Sequence, residues 1–209
     1  MQEMYTQLSW EDSVSRIPIY TIGYAGRSIS QFIELLQKYK IQFLLDVRSR
    51  PYSRANSQFS KDALERALSE NNVRYVYMGD TLGGRPEASD CYVGDRVDYL
   101  KVREMEFYQQ GIGRLRTVWE KQIPIVLMCA EIKPEQCHRS KLIGNTLYEQ
   151  NIAVAHIDEH GNLKAQDEVN QCLSSQQLSL FDDQEPSFAP PKKVNTSRKK
   201  YSFPGDATR

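Results

Sequence analysis

Ile123-Pro-Ile-Val-Leu-Met-Cys-Ala130 is the most apolar run in the chain, and its reading decides the fold. The run is too short for a buried helix, so it reads as a central strand covered on both faces. Working outward, Ile41-Gln-Phe-Leu-Leu-Asp-Val47, Ile17-Pro-Ile-Tyr-Thr-Ile22, Val73-Arg-Tyr-Val-Tyr-Met78 and Ile152-Ala-Val-Ala-His-Ile157 are similar runs. Helical spacing separates them. Ile29, Phe32, Ile33, Leu35 and Leu36 follow a cap at Ser28, and Ala63, Leu64, Ala67 and Leu68 follow one at Ser60. Further helices are expected within 96–109, from Gly113 to Lys121 and from Ser140 to Gln150. Alternating strands and helices with short connections predict an α/β single domain, its mostly parallel sheet carrying helices on both faces in a Rossmann-like arrangement.

The boundaries follow from where that alternation starts and stops. Residues 1–16 read as a polar N-terminal arm, 17–162 as the α/β domain, and 163–209 as a mostly disordered tail with one helix over Gln166 to Leu173. Beyond Ser174 the chain is Ser/Gln-rich, then acidic, then Pro- and Lys-rich, which cannot bury enough apolar surface to fold. The net charge is +0, yet residues 190–209 hold six Lys/Arg against one Asp, so the positive charge sits in a basic tail. Mean hydropathy is −0.60. No apolar run approaches the roughly 18 residues of a transmembrane helix, so no membrane association is expected. Met1-Gln-Glu-Met-Tyr5 lacks the basic and apolar parts of a secretory signal, and four scattered cysteines read as reduced thiols, which together predict a cytoplasmic protein.

Ligands of open parallel sheets bind beyond the carboxyl ends of the strands. The residues expected there are Gly23-Tyr24, Asp46 with Arg48, and Cys129 to Glu131. Arg139 and Ser140 would open a helix, where free N–H groups favour an anion, and Arg48 and Arg50 add forked donors for a phosphate. Tyr24, Arg48, Arg50, Arg139, Ser140, Cys129 and Cys137 are therefore the candidate substrate-binding residues, and Glu131, Asp46 and His138 the candidate catalytic ones. Glu131, directly after a buried strand, invites a raised pKa and acid/base work, or else pairs with Arg48 or Arg139. Asp46 is a general base, a metal ligand or a brace for its loop. Cys129 reads as a small hydrophobe more readily than as a nucleophile, while the nearby helix start would lower the pKa of Cys137. Zinc on Cys129, Cys137 and His138 is conceivable. The Cys-x7-Cys-His spacing is not a standard zinc pattern, however, and no fourth ligand shows in the sequence, so no metal or cofactor is expected. His156 reads as a satisfied core histidine.

Thr21-Ile-Gly-Tyr24, Asp46-Val-Arg-Ser49 followed by Pro51, and Cys129-Ala-Glu131 with Cys137-His-Arg-Ser140 resemble the domain-of-unknown-function family numbered 488 over roughly residues 18–160. Where that family usually carries a histidine, this chain has Tyr24. The resemblance implies the fold and the place of the site, and names no reaction. Asp-Val-Arg after one strand and a cysteine after another are also similar to rhodanese-like domains, but the compact Cys-x5-Arg loop is absent, which disfavours that chemistry.

Gln177-Leu178-Ser179-Leu180-Phe181 stands apart in the tail. It resembles the peptide by which bacterial polymerases and repair proteins dock on the replication sliding clamp. Leu180 and Phe181 would fill an apolar pocket while Gln177 bonds at its edge. The joint expectation is a DNA-maintenance or nucleotide-processing protein tethered to the clamp, with DNA or a nucleotide as ligand and a hydrolase or glycosylase-type activity. A non-catalytic nucleic-acid-binding adaptor, or a thiol- or metal-dependent enzyme using Cys129 and Cys137, is the alternative.

Overall fold

The structure is a computed structural model that describes residues 16–179. Five parallel strands form its core: β1 Ile19–Gly23, β2 Phe43–Asp46, β3 Arg74–Tyr77, β6 Ile125–Cys129 and β7 Val154–Ile157. A short ribbon, β4 Tyr92–Val93 and β5 Arg96–Val97, stands outside the sheet. The sheet order is β3-β2-β6-β1-β7-β8, where β8 (Leu163–Ala165) is antiparallel to β7. The α/β class and the mostly parallel sheet are as the sequence predicts. β8 lies in the sheet although it begins beyond residue 162, where the periodicity ends.

One crossover direction reverses in the middle of the sheet. The chain leaves β1 and passes β6 to reach β2, whereas it leaves β6 and passes β1 to reach β7. Right-handed crossovers in opposite directions put their helices on opposite faces. Helices α1 (Ile29–Lys38) and α2 (Lys61–Glu70) accordingly pack Phe32, Leu36, Leu64 and Leu68 against Ile22, Leu44, Val126 and Met128. On the other face α5 (Glu106–Glu120) and the segment after β6 pack Tyr108, Leu115, Leu142 and Leu147 against Leu45, Leu127 and Cys129. The crevice between β1 and β6 is thus a switch point, where such sheets open a site.

Local differences from the sequence reading have local causes. Ser28 caps α1 with a full capping box to Gln31. Ser60 stands at the N-cap of α2, but its hydroxyl accepts from the Ser53 amide instead of capping the helix. Helix α5 starts at Glu106, not Gly113, and carries both glycines in its interior: a side chain on Gly111 would meet Leu82 at 2.7 Å, while one on Gly113 would meet nothing. Leu82 ends the short α3 (Gly79–Leu82), and α4 (Tyr99–Glu104) precedes α5. The helix expected from Ser140 begins as a π-helical turn, Arg139–Gly144, before α6, Asn145–Glu149. The final helix, α7, runs Gln166–Ser179, past the Ser174 limit. No described helix is long and apolar enough to cross a membrane. Leu180 and Phe181 of the clamp-like peptide lie outside the described residues, as do the side chains of Gln177, Leu178 and Ser179.

Candidate active site at the strand ends

Asp46 and Cys129 close neighbouring strands, but side-chain alternation sends them to opposite faces of the sheet. The residues gathered by the sequence therefore divide into two adjoining halves.

The α1/α2 half is built on an ion pair. Arg48 donates Nε to Asp46 Oδ1 at 2.8 Å and a terminal nitrogen to Oδ2 at 2.6 Å, and its amide donates to Oδ1 at 3.1 Å. Tyr75 donates its hydroxyl to Oδ2 at 2.8 Å. Asp46 is fully buried and its acceptors face these donors, so it braces the loop. Arg48 lies over the Tyr24 ring at 5.1 Å, and Tyr24 stacks on Phe59 with centroids 4.5 Å apart. Both Arg48 and Tyr24 are buried. The second terminal nitrogen of Arg48, Nη1, has no hydrogen-bond partner among the described residues. Arg50 is exposed in the same loop.

The α5 half collects sulfur, carboxylate and imidazole. Cys129 Sγ and Cys137 Sγ donate to one oxygen of Glu131, Oε2, at 3.0 and 3.1 Å. His138 Nδ1 lies 3.6 Å from the first sulfur and 3.8 Å from the second. His138 Nε2 is 3.1 Å from the Val47 carbonyl, which can only accept, so Nε2 carries a proton and Nδ1 is the nitrogen that faces the thiols. Glu131 carries a lowered pKa, contrary to the sequence expectation. Desolvation pushes it up, but the thiol donors, its own backbone N–H and His138 together outweigh that. Glu131 is therefore an ionised carboxylate at neutral pH, fit to be a base or a ligand and unfit to be an acid. It joins neither Arg48 nor Arg139 in an ion pair. The two thiols behave as a pair: Cys137 is pulled down by Cys129, His138 and Arg139 against its burial, and Cys129 is pushed up by its neighbour and by burial. The amide of Arg139 points at Cys137 Sγ from 3.5 Å, which favours charge on that sulfur.

Arg139 itself is a brace. It is fully buried, and its three guanidinium nitrogens donate to Thr21 Oγ1 and to the carbonyls of Glu131 and Ile132. Ser140 is equally buried, bonded to Gln166. The helix start that these residues occupy is thus filled by the protein's own groups, and no anion reaches it as the sequence reading expects. Gly23 is part of the same clamp, since a side chain there would strike the Glu131 carbonyl. His156 is a core histidine, 2.7 Å from both Thr21 Oγ1 and Gln166 Oε1.

Two contributors escape the sequence reading, and a third, Gly84, shows there only as a weak sign of close approach. Tyr75 and Tyr99 sit in segments read as a strand and a loose helix; Tyr99 borders the thiols, where burial and then their negative charge push its phenol up. Gly84, in a dipeptide that gives a weak signal by itself, lets its loop lie flat on His138: a side chain would come 2.7 Å from that ring.

These features define an α/β protein with a candidate strand-end site at the sheet's switch point. The chain belongs to the family described as domain of unknown function DUF488, whose match spans residues 28–145, more than half of the sequence. That span includes every candidate residue from Asp46 to Ser140 and stops short of Thr21 to Tyr24. No curated protein and no solved structure matches the chain.

Proposed function

We propose that this protein binds nucleic acid through the loop following β2 and processes it, or a nucleotide, at the adjoining Cys129–Glu131–Cys137–His138 cluster, working in the cytoplasm beside the replication sliding clamp. The loop itself carries this reading. From Arg48 to Arg54 it holds three arginines and no acid, and between them Tyr52 stands 66% exposed. Arg85 joins it, donating its amide to Ser49. An exposed ring flanked by cations is the arrangement by which bases stack while phosphates are neutralised.

Fluorescence anisotropy with labelled single-stranded DNA, duplex DNA and RNA tests the reading. Arg50→Glu with Arg54→Glu is expected to weaken binding at least about tenfold and to flatten its salt dependence; Tyr52→Ala is expected to weaken single-strand binding by roughly 1 kcal/mol or more. Equal affinity of all three proteins disposes of the loop as a nucleic-acid surface. For the clamp, Leu180→Ala with Phe181→Ala should abolish binding of the purified bacterial clamp, and retained binding removes that part of the proposal.

A further inference from the structure

The four side chains of the α5 half stand as the donors of a metal site stand, and from that geometry we infer that Cys129 Sγ, Cys137 Sγ, His138 Nδ1 and Glu131 Oε2 bind one zinc ion. A tetrahedral zinc with Zn–S of about 2.3 Å and Zn–N of about 2.0–2.1 Å separates sulfur from nitrogen by about 3.6 Å. The observed separations are 3.6 and 3.8 Å. The three donor atoms of Cys129, Cys137 and His138 all lie within 4.8 Å of one another. The carboxylate oxygen, at 3.0 and 3.1 Å from the sulfurs, needs to give by about half an ångström to reach the roughly 3.5 Å of a fourth ligand. Glu131 can give it, being the exposed member of a set whose other three are buried.

The surroundings fit a ligand set better than a redox pair. A disulfide between Cys129 and Cys137 would use neither the imidazole nor the carboxylate. A metal-bound histidine characteristically donates its other N–H to a carbonyl, as His138 does to Val47, and the flat contact of Gly84 fixes the ring. Two thiolates, one carboxylate and a neutral imidazole around the ion leave a complex of net charge −1, next to the buried Arg139 guanidinium. Two thiolates and an imidazole select zinc over magnesium or calcium. Local sequence spacing hides the site, because two ligands come from one loop end and the others from the strand and the turn after it.

The test uses the full chain, reduced and stripped with a chelator, titrated with Co2+ as a spectroscopic probe. Saturation at about one equivalent, with sulfur-to-cobalt charge transfer and the strong visible bands of a tetrahedral ion, is expected; Zn2+ should displace it. Cys137→Ser should lower the charge-transfer intensity by about half, and His138→Gln should weaken affinity at least about tenfold, with circular dichroism checking each fold. Absence of these bands in the wild type overturns the inference whatever the variants do. So do bands unchanged by Cys129→Ser and Cys137→Ser. A chain that isolates as a Cys129–Cys137 disulfide and takes no cobalt when reduced overturns it in favour of a redox pair. None of the loop variants used for nucleic-acid binding touches these ligands, so either reading can fail alone.

Discussion

Asp46→Asn isolates the load on the buried ion pair. Asp46 is fully buried and Arg48 is 5% exposed, and the carboxylate accepts four bonds of 2.6–3.1 Å. The amide keeps the shape but replaces one acceptor with an NH2 group that faces the Arg48 and Tyr75 donors. It also leaves the guanidinium buried without its counter-charge. Removing one partner of a buried pair costs about 3–5 kcal/mol. For a domain of this size that lowers Tm by about 6–20 °C, at roughly 2–4 °C per kcal/mol. Urea denaturation of wild type, Asp46→Asn and the double variant Asp46→Asn/Arg48→Met supplies the numbers, provided the m-values agree. The double variant removes the orphaned charge and is expected to recover part of the loss. A single variant within about 1 kcal/mol of wild type, or a double variant less stable than the single, refutes the claim that charge burial governs this loop.

His156 gives a pH signature. Desolvation and Arg139 hold its pKa at about 3, against an ordinary 6.5. The unfolded chain therefore binds the proton first, and the folded state loses up to about 1.4 kcal/mol per pH unit as pH falls from about 6.5 towards 3. His156→Gln should flatten that part of the stability-against-pH curve; an unchanged slope assigns it to other groups. Gly23→Ala should push the Glu131 carbonyl off its seat, lowering stability by about 1–3 kcal/mol and weakening cobalt binding, measured by melting and titration. Should Gly23→Ala melt like wild type, the loop after β6 is looser than its contacts imply. Arg139→Lys keeps the charge but cannot span Thr21, Glu131 and Ile132, so a melting temperature several degrees lower is expected by calorimetry.

The apolar runs were legible because a parallel sheet buried on both faces leaves no polar alternation to read. Their carboxyl ends marked the site for the same reason: Asp46 and Glu131 interrupt patterns that are otherwise apolar. What the pattern could not carry was direction. Asp46 and Cys129 fall one register step apart on adjacent strands, Asp46 opposite Met128, and that single step sends their side chains to opposite faces. Arg139 looked like an anion ligand because a helix start and an arginine are the right parts; the structure turns the side chain inward onto carbonyls of its own preceding loop. The fourth donor of the proposed metal site is hidden because a carboxylate after a strand reads equally as an acid/base group or an ion-pair partner, and its approach to both sulfurs depends on the Gly23 and Arg139 contacts that pin its backbone.

Val47 joins the two halves. It lies between Asp46 and Arg48, and its carbonyl holds the His138 Nε2 proton, so the loop that presents the arginines also sets which nitrogen faces the thiols. This fixes a tautomer that nitrogen NMR can read directly. The chain has three histidines, so labelled imidazole signals are few enough to assign. His138 should show a protonated Nε2 in the metal-free protein. His156 should show the same pattern: Arg139 Nε donates to Thr21 Oγ1, which leaves the threonine hydrogen to point at His156 Nδ1. Nε2 of His156 then donates to Gln166. His160, whose bond to Asp158 is made by its backbone amide, supplies the contrast. On adding zinc the His138 Nδ1 resonance alone should move. A bare His138 Nε2 would mean that the Val47 carbonyl does not hold the ring, and the coupling of the arginine loop to the thiol cluster through Val47 would fall with it.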